Sequence, residues 1–458
     1  MQYTKRLAEF VLDTRYEDIP VEAFRLAKRH FLDCTGSCLA AVSEKPGKIV
    51  YDYIKELQSD GSTRVIGFGL RTSIDNAAFA NGILSHAICF DDSGPSHPSV
   101  TVVPPLYALG ETYRFGGKQI LTAQVLGYEV FQKLNLVTKD AWEMRVRGWH
   151  PTGFFGAVTS ALISSKLLNL TLEQSLNAVG IAASMGAGLS QNIGNMTMSL
   201  HAGNASRNGI IAAKLAKEGF TGDQEILEGR FGLMNALAGV NSYDIEALVK
   251  NLGNPYSVVY PGINFKPYPN CWAHHRVYDS MLYLVNSHDI KPENVESIWC
   301  DLQPDKPTYR YLQPKTELEA RYSLGYGIAM CLLDRKLEFG QYLPERITDE
   351  KTLETMAKIK HVPQTIESEK HKIVVKLING AEYSHVVEYS KGNAACNPLS
   401  DQELQEKYRY CARRVLPNDK IERSLEMICR MEEISDITEI VDAITQNETL
   451  MTMPVTKG

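Results

Sequence analysis

Along the first ~260 residues, apolar positions recur every three or four places. Val21, Phe24, Ala27, Phe31, Cys34 and Cys38 form one such stripe, the period of a helix with one buried face. The same spacing predicts helices near 75–91, 101–114, 118–136, 151–168, 172–187 and 203–218. Thr171, with Gln174 three residues later, has the form of a capping box opening one of them. Several stretches are rich in Ala, Gly and Ser, as from Ala178 to Gly188. Side chains that small let helix axes approach closely, so the run reads as packing. It lacks the GxxxxGK[ST] or strand–GxGxxG–helix setting of a phosphate loop.

The period changes after about residue 265. Ile298, Cys300 and Leu302 alternate with Ser297, Trp299 and Asp301, which is strand spacing. Ile373, Val375 and Leu377 alternate up to Asn379-Gly380, and Tyr383, His385 and Val387 follow. Asn-Gly between two alternating runs predicts a tight hairpin. A helix bearing Ala320, Leu324, Ile328, Cys331 and Leu332 lies between the strands. Helical spacing returns near residue 400, where Ser400 and Glu403 form a second capping box. Leu404, Tyr408 and Cys411 continue it, and Ile421, Leu425 and Ile428 form another helix. The pattern predicts a mainly α chain with an inserted α+β domain. The all-helical domain is expected over 1–265 and 400–458, and the α+β domain over 266–399.

Composition narrows the function classes. At 458 residues, two domains are expected. The net charge of -6 is spread along the chain with no block of one sign, which argues against a nucleic-acid partner. No apolar run reaches the ~18 residues of a membrane helix. The one from Phe154 to Leu168 is interrupted by Thr159, Ser160, Ser164, Ser165 and Lys166. The N-terminus leads into an amphipathic helix through Leu7, Phe10 and Val11 rather than into a signal-peptide block. Nine scattered cysteines with no CxxC pair suggest neither structural zinc nor a disulfide framework. A cytoplasmic location fits this usage.

Four segments combine histidine with Gly, Pro or Ser where helical patterns weaken. In the first, His86 leads through Asp91-Asp92-Ser93-Gly94-Pro95-Ser96 to His97-Pro98. An imidazole titrates nearest neutral pH, and Asp91 or Asp92 could orient the ring of His97. The competing reading has both carboxylates capping local backbone. The second is Gly148-Trp149-His150-Pro151-Thr152-Gly153. Pro151 suits a first helical turn, and free N–H groups there attract anions. Alternatively, His150 packs on Trp149. The third runs from Ser199 to Gly209, where His201 and Arg207 could bind a carboxylate or His201 could be a core histidine. The fourth, from Phe265 to His275, holds Lys266 as a carboxylate clamp at the change of pattern. No HExxH or closely spaced His/Cys set points to a metal, and no GxSxG elbow points to a serine nucleophile.

Taken in order, these segments resemble the MmgE/PrpD family, which includes 2-methylcitrate dehydratase, cis-aconitate decarboxylase and iminodisuccinate epimerase. The resemblance runs from Phe31-Leu32-Asp33-Cys34-Thr35-Gly36 through the His150 and His201 segments. It continues with Gly219-Phe220-Thr221-Gly222, Ile226-Leu227-Glu228-Gly229, Phe265-Lys266-Pro267-Tyr268-Pro269 and Asn397-Pro398-Leu399-Ser400. It implies a large helical domain built from both chain ends, a smaller α+β lid, a homodimer, and a site between domains needing no metal or cofactor. The positions matching decarboxylase-like members are His97, His150, Lys266, His275 and Tyr326. Two differ: Cys89 stands where those members carry an acid, and Met198 where they carry a lysine.

The expected activity is therefore a lyase of a small di- or tricarboxylate, 2-methylcitrate dehydratase-like, with proton transfer next to a carboxylate. His97 and His150 would move the proton, with His275 and Tyr326 as further catalytic groups. Asp91, Asp92, His201, Lys266, Arg207 and Arg321 would line or bind the substrate. An epimerase of a dicarboxylate is the neighbouring alternative, and a catalytically silent helical binding protein the distant one.

Overall fold

The apolar stripes fold as helices. The computed structural model describes residues 2–138, 141–240, 242–302, 310–363 and 372–446. Packing separates two units: Met1–Ser190 with Thr197–Ile263 and Ser400–Gly458, and Gln191–Met196 with Asn264–Leu399. Residues 447–458, placed in the expected helical domain, lie outside the described residues.

The first unit contains α1 (Tyr3–Asp13), α2 (Val21–Ala41), α3 (Ile74–His86), α4 (Ser99–Tyr113), α5 (Gly117–Val137), α6 (Pro151–Leu167), α7 (Leu172–Met185) and α8 (Thr197–Lys217). The interrupted apolar run of α6 is a core helix. Its Thr159, Ser160, Ser164 and Ser165 are buried, and the Ser160 hydroxyl donates to the Ser206 carbonyl at 3.0 Å. No helix of the described residues is long and apolar enough to cross a membrane. Both capping boxes form: Gln174 N donates to Thr171 Oγ1 at 3.2 Å, and Glu403 N to Ser400 Oγ at 3.2 Å.

Glycine allows a close helix crossing. A Cβ on Gly203 of α8 would lie 2.6 Å from the Phe79 carbonyl of α3, and one on Gly82 of α3 would lie 2.8 Å from Gly203 Cα. The two backbones touch because neither glycine has a side chain. The helix Asp401–Ala412 packs on α2 in the same unit, where a Cβ on Gly36 would sit 3.3 Å from the Tyr408 ring.

Two helices differ from their predicted spans. α3 ends at His86 instead of continuing to about 91. Cys89 beyond it adopts φ 55°, a left-handed conformation that closes off the helix. α8 begins at Thr197, so His201 lies inside a helix rather than in the loop expected before residue 203. Met198 and His201, three residues apart, are both buried, a helical signal hidden by the glycines around them.

In the second unit, α9 (His275–Ser287), β1 (Val295–Leu302), α10 (Leu324–Asp334), β2 (Ile359–Pro363), β3 (Lys372–Leu377) and β4 (Glu382–Val386) form the α+β part. The sheet order is β2-β1-β3-β4, with β1–β2 parallel and the other pairs antiparallel. Gly380 at φ 86° makes the predicted hairpin turn between β3 and β4. Ile298, Cys300, Ile373 and Val375 pack with Tyr278, Met281 and Ile328 in one core, while Trp299 on the alternate face is exposed.

The glycine crossing makes a test. Overpacking a core contact costs about 1–3 kcal/mol, so Gly203→Val should lower unfolding free energy by that order in a urea titration. Gly340→Ala, with nothing within 4 Å of the added carbon, should change it little. Equal stability of both variants would contradict the crossing.

Candidate active site

The site grows from the end of α3. His86 is its last residue, fully buried, with Nδ1 3.1 Å from Asp91 Oδ1. The chain turns through Asp91 and Gly94 and returns, so that His97 Nδ1 lies 2.8 Å from Asp91 Oδ2 and 2.9 Å from the Asp92 carbonyl. One buried carboxylate thus meets two imidazoles, whose ring centres are 4.6 Å apart. Lys407 of the helix Asp401–Ala412 holds the loop from behind. Its Nζ donates to the Phe90 carbonyl at 2.7 Å and pairs with buried Asp33 at 2.6 Å. Burial pushes the Asp33 carboxyl up, with Lys407 opposing.

A second histidine pair faces the first. Pro151 sits at N1 of α6 and leaves His150 as the N-cap residue. His150 N donates to the Gly188 carbonyl at 3.0 Å, and Ser190 N to the Gly148 carbonyl at 2.8 Å. That short pairing seats His150 Nδ1 2.9 Å from His201 Nδ1 on α8. Burial first, then His201, Arg145, His86 and His97, hold His150 well below the usual imidazole range. Burial, then His86, bring His201 down to about 4. Both rings are neutral at pH 7, and one donates its Nδ1–H to the other. His150 Nε2 lies 3.4 Å from Thr152 Oγ1, which bonds Ser96 Oγ at 2.7 Å. Arg145 joins from the side, donating to the Pro95 carbonyl at 3.1 Å and to Ser96 Oγ at 3.3 Å.

One ring nitrogen from each of His86, His97 and His150 lies within 4.8 Å of the other two. Bonds of about 2.0–2.1 Å in a tetrahedral site put nitrogens about 3.4 Å apart. At the outer limit of the observed spacing, a divalent ion would have to draw the trio inward. As they stand, the three Nδ1 atoms are engaged by Asp91 and His201, an arrangement suited to holding and passing protons.

Not every predicted residue joins this cluster. Asp92 turns into the bundle: its carboxylate takes the Ser99 hydroxyl and lies 3.3 Å from His30 Nδ1. This is the geometry of the local capping reading, with Ser99 N donating to Asp92 Oδ1 at 3.4 Å at the start of α4. Arg207 donates to Asn204 Oδ1 at 3.1 Å and stacks over Phe79 at 4.7 Å. In the second unit, Lys266, His275, Arg321 and Tyr326 are all buried. Arg321 donates to the Pro269 carbonyl at 2.8 Å and lies 4.7 Å over the Tyr342 ring. The Tyr326 hydroxyl donates to the Gln341 carbonyl, and burial raises its pKa. His275 rings with Tyr268 and Trp272 at 5.2 and 5.0 Å. The sequence places His86 at the head of the first segment without a role, and it does not single out Arg145. Five residues separate each from a predicted site residue, Asp91 and His150, and that proximity was the available signal.

Residues 5–246 match the family model for the MmgE/PrpD N-terminal domain, and residues 268–433 that for the MmgE/PrpD C-terminal domain. A cis-aconitate decarboxylase of Homo sapiens is 29% identical over 432 residues, covering 90% of this chain and 88% of the relative. One of Mus musculus is 28% identical over 431 residues, with 90% and 87% covered. One of Aspergillus terreus is 23% identical over 481 residues, with 96% and 95% covered.

The depressed histidines have a consequence for stability. Unfolded histidine titrates at about 6.5, while in the fold burial brings His201 down to about 4. Between those values the unfolded chain binds more protons, so stability rises with pH and is lost as pH falls from about 6.5 toward 4. Urea titrations across that window should show His201→Gln with a shallower acid loss than the parent. Identical slopes would contradict a neutral, buried His201.

Proposed function

This chain belongs to the MmgE/PrpD family, and from that premise we propose a metal-independent lyase of a small di- or tricarboxylate, working by proton transfer at a carbon next to a carboxylate. The observation that carries the reading is the buried Asp91 carboxylate shared by His86 and His97, facing the neutral His150–His201 pair. An imidazole oriented by a carboxylate and a second, neutral imidazole make an acid and a base in one place. Breaking a C–C or C–O bond beside a carboxylate needs both, since charge builds on the carbon skeleton and must be met by a proton.

In this reading His97 and His150 exchange protons with substrate, while Asp91 and His201 hold them. Arg145 supplies positive charge near the loop. Lys266 is assigned as a further cation candidate, and His275 and Tyr326 as further proton-bearing groups, on the family resemblance; Arg207 and Arg321 are added as cations that could hold a substrate carboxylate. The relatives' names favour decarboxylation over dehydration of a 2-methylcitrate-like acid. Cys89 and Met198, both buried, replace an expected acid and an expected lysine. Losing one charge-assisted partner would weaken a tricarboxylate by about 1.5–3 kcal/mol. This favours an acid with fewer carboxylates than cis-aconitate, or with one placed differently.

The test is proton NMR in D2O with cis-aconitate, 2-methylcitrate and a panel of other di- and tricarboxylates. The expected result is loss of carbon dioxide or water from one of them. Deuterium exchange without either loss would make the chain an isomerase, and no turnover of any acid would favour a binding protein. His97→Gln and His150→Gln should each lower the rate at least about tenfold, and full activity in both would sink the assignment.

A further inference from the structure

Asp91 serves two imidazoles, and the proposed chemistry uses only one of them. Its Oδ2 meets His97 Nδ1 at 2.8 Å and its Oδ1 meets His86 Nδ1 at 3.1 Å. A carboxylate oxygen only accepts, so both rings approach with Nδ1–H. Both tautomers are thereby set, and a further proton can go only to an Nε2 atom. One carboxylate offsets one imidazolium. With ring centres 4.6 Å apart, a second imidazolium is opposed by like charge. His150 at the head of α6 and His201 on α8 face the same region as neutral rings, and the Arg145 guanidinium, which also acts on His150, adds positive charge there. The pair holds one mobile proton.

Surroundings decide where it rests. His86 is fully buried, and its Nε2 has no hydrogen-bond partner among the described residues. A proton there would make a buried, unpaired charged donor, which is among the more costly arrangements in a protein. The C-terminal end of α3 favours positive charge on His86, but a helix end contributes less than an unpaired buried charge costs. The side chain of His97 is 12% exposed, so water can solvate its charged form.

We propose that His86 is a positioning residue: it stays neutral, its Nδ1–H pins Asp91 so that Oδ2 faces His97, and the proton exchanged in turnover is carried by His97 alone. This rests on the acid–base reading of the site. The His86 N–H also draws on the charge of Asp91 and so weakens its pull on His97. Removing that donor should make His97 hold its proton more tightly.

The experiment is long-range 1H–15N correlation NMR of the full chain, labelled at histidine and titrated from pH 5 to 9. His86→Leu, His86→Asn and His97→Gln provide the assignments. In the parent, His86 should keep a bare Nε2 throughout while His97 titrates. In His86→Leu the His97 midpoint should rise by roughly one pH unit, a tenfold gain in proton affinity. His86→Asn, which returns an N–H donor to Asp91, should bring it back toward the parent value. A His86 Nε2 that takes up the proton, or a His97 midpoint equal in His86→Leu and parent, would overturn the proposal. Should His86→Leu fail to fold, the parent tautomers and His86→Asn decide: a His97 midpoint in His86→Asn displaced as far as a unit would also overturn it. None of these readings needs a substrate, so they stand apart from any failure of the lyase assignment.

Discussion

A buried carboxylate is the constraint around which the first unit is arranged. An ionised group taken out of water is costly by several kcal/mol unless its partners are well placed. Asp91 is completely buried, and its two oxygens go to imidazoles arriving from the end of α3 and from the approach to α4. The loop closes on that charge. Its neighbour Asp92, equally buried, faces the opposite way to His30 and Ser99. Consecutive acids thus face opposite ways: Asp92 ties the loop to the scaffold, and Asp91 meets the two imidazoles.

The helices supply the distances this requires. His86 lies one turn after Gly82, and His201 two residues before Gly203. The contact between those glycines therefore brings the two histidine pairs near each other. Gly188 repeats the device on a smaller scale, since a Cβ there would lie 3.1 Å from the His201 ring. Burial then sets the chemistry: rings packed among helices, with other imidazoles for neighbours, are kept neutral and able to accept protons.

Much of this was readable from the residues. Periodicity located most helices, and Asn379-Gly380 marked the hairpin. Pro151 identified a helix start with His150 at its cap. The errors came where small or polar residues blur periodicity. Thr197 to Ala202 reads as a loop because the glycines and serines around it mask a buried face that includes Met198 and His201. Spacing extends α3 to about residue 91 because it cannot reveal a left-handed residue at Cys89. His86 was passed over because it stands among apolar residues at a helix end, where a histidine has no distinctive pattern. Its importance appears only when the chain turns Asp91 back toward it. Asp92 shows the converse, since adjacency to Asp91 does not reveal that the two side chains point in opposite directions.

The Lys407 contact has a bearing on how this protein comes into being. The Phe90 carbonyl and its anchor are 317 residues apart. At a synthesis rate of about 5–20 residues per second, the anchor emerges roughly a quarter of a minute to a minute after the loop it secures. During that interval the Asp91 loop must wait with its histidines without its rear support. The loop's contact with Lys407 therefore forms late, once the helix Asp401–Ala412 has been made, and not when His201, the last histidine of the cluster, has been made.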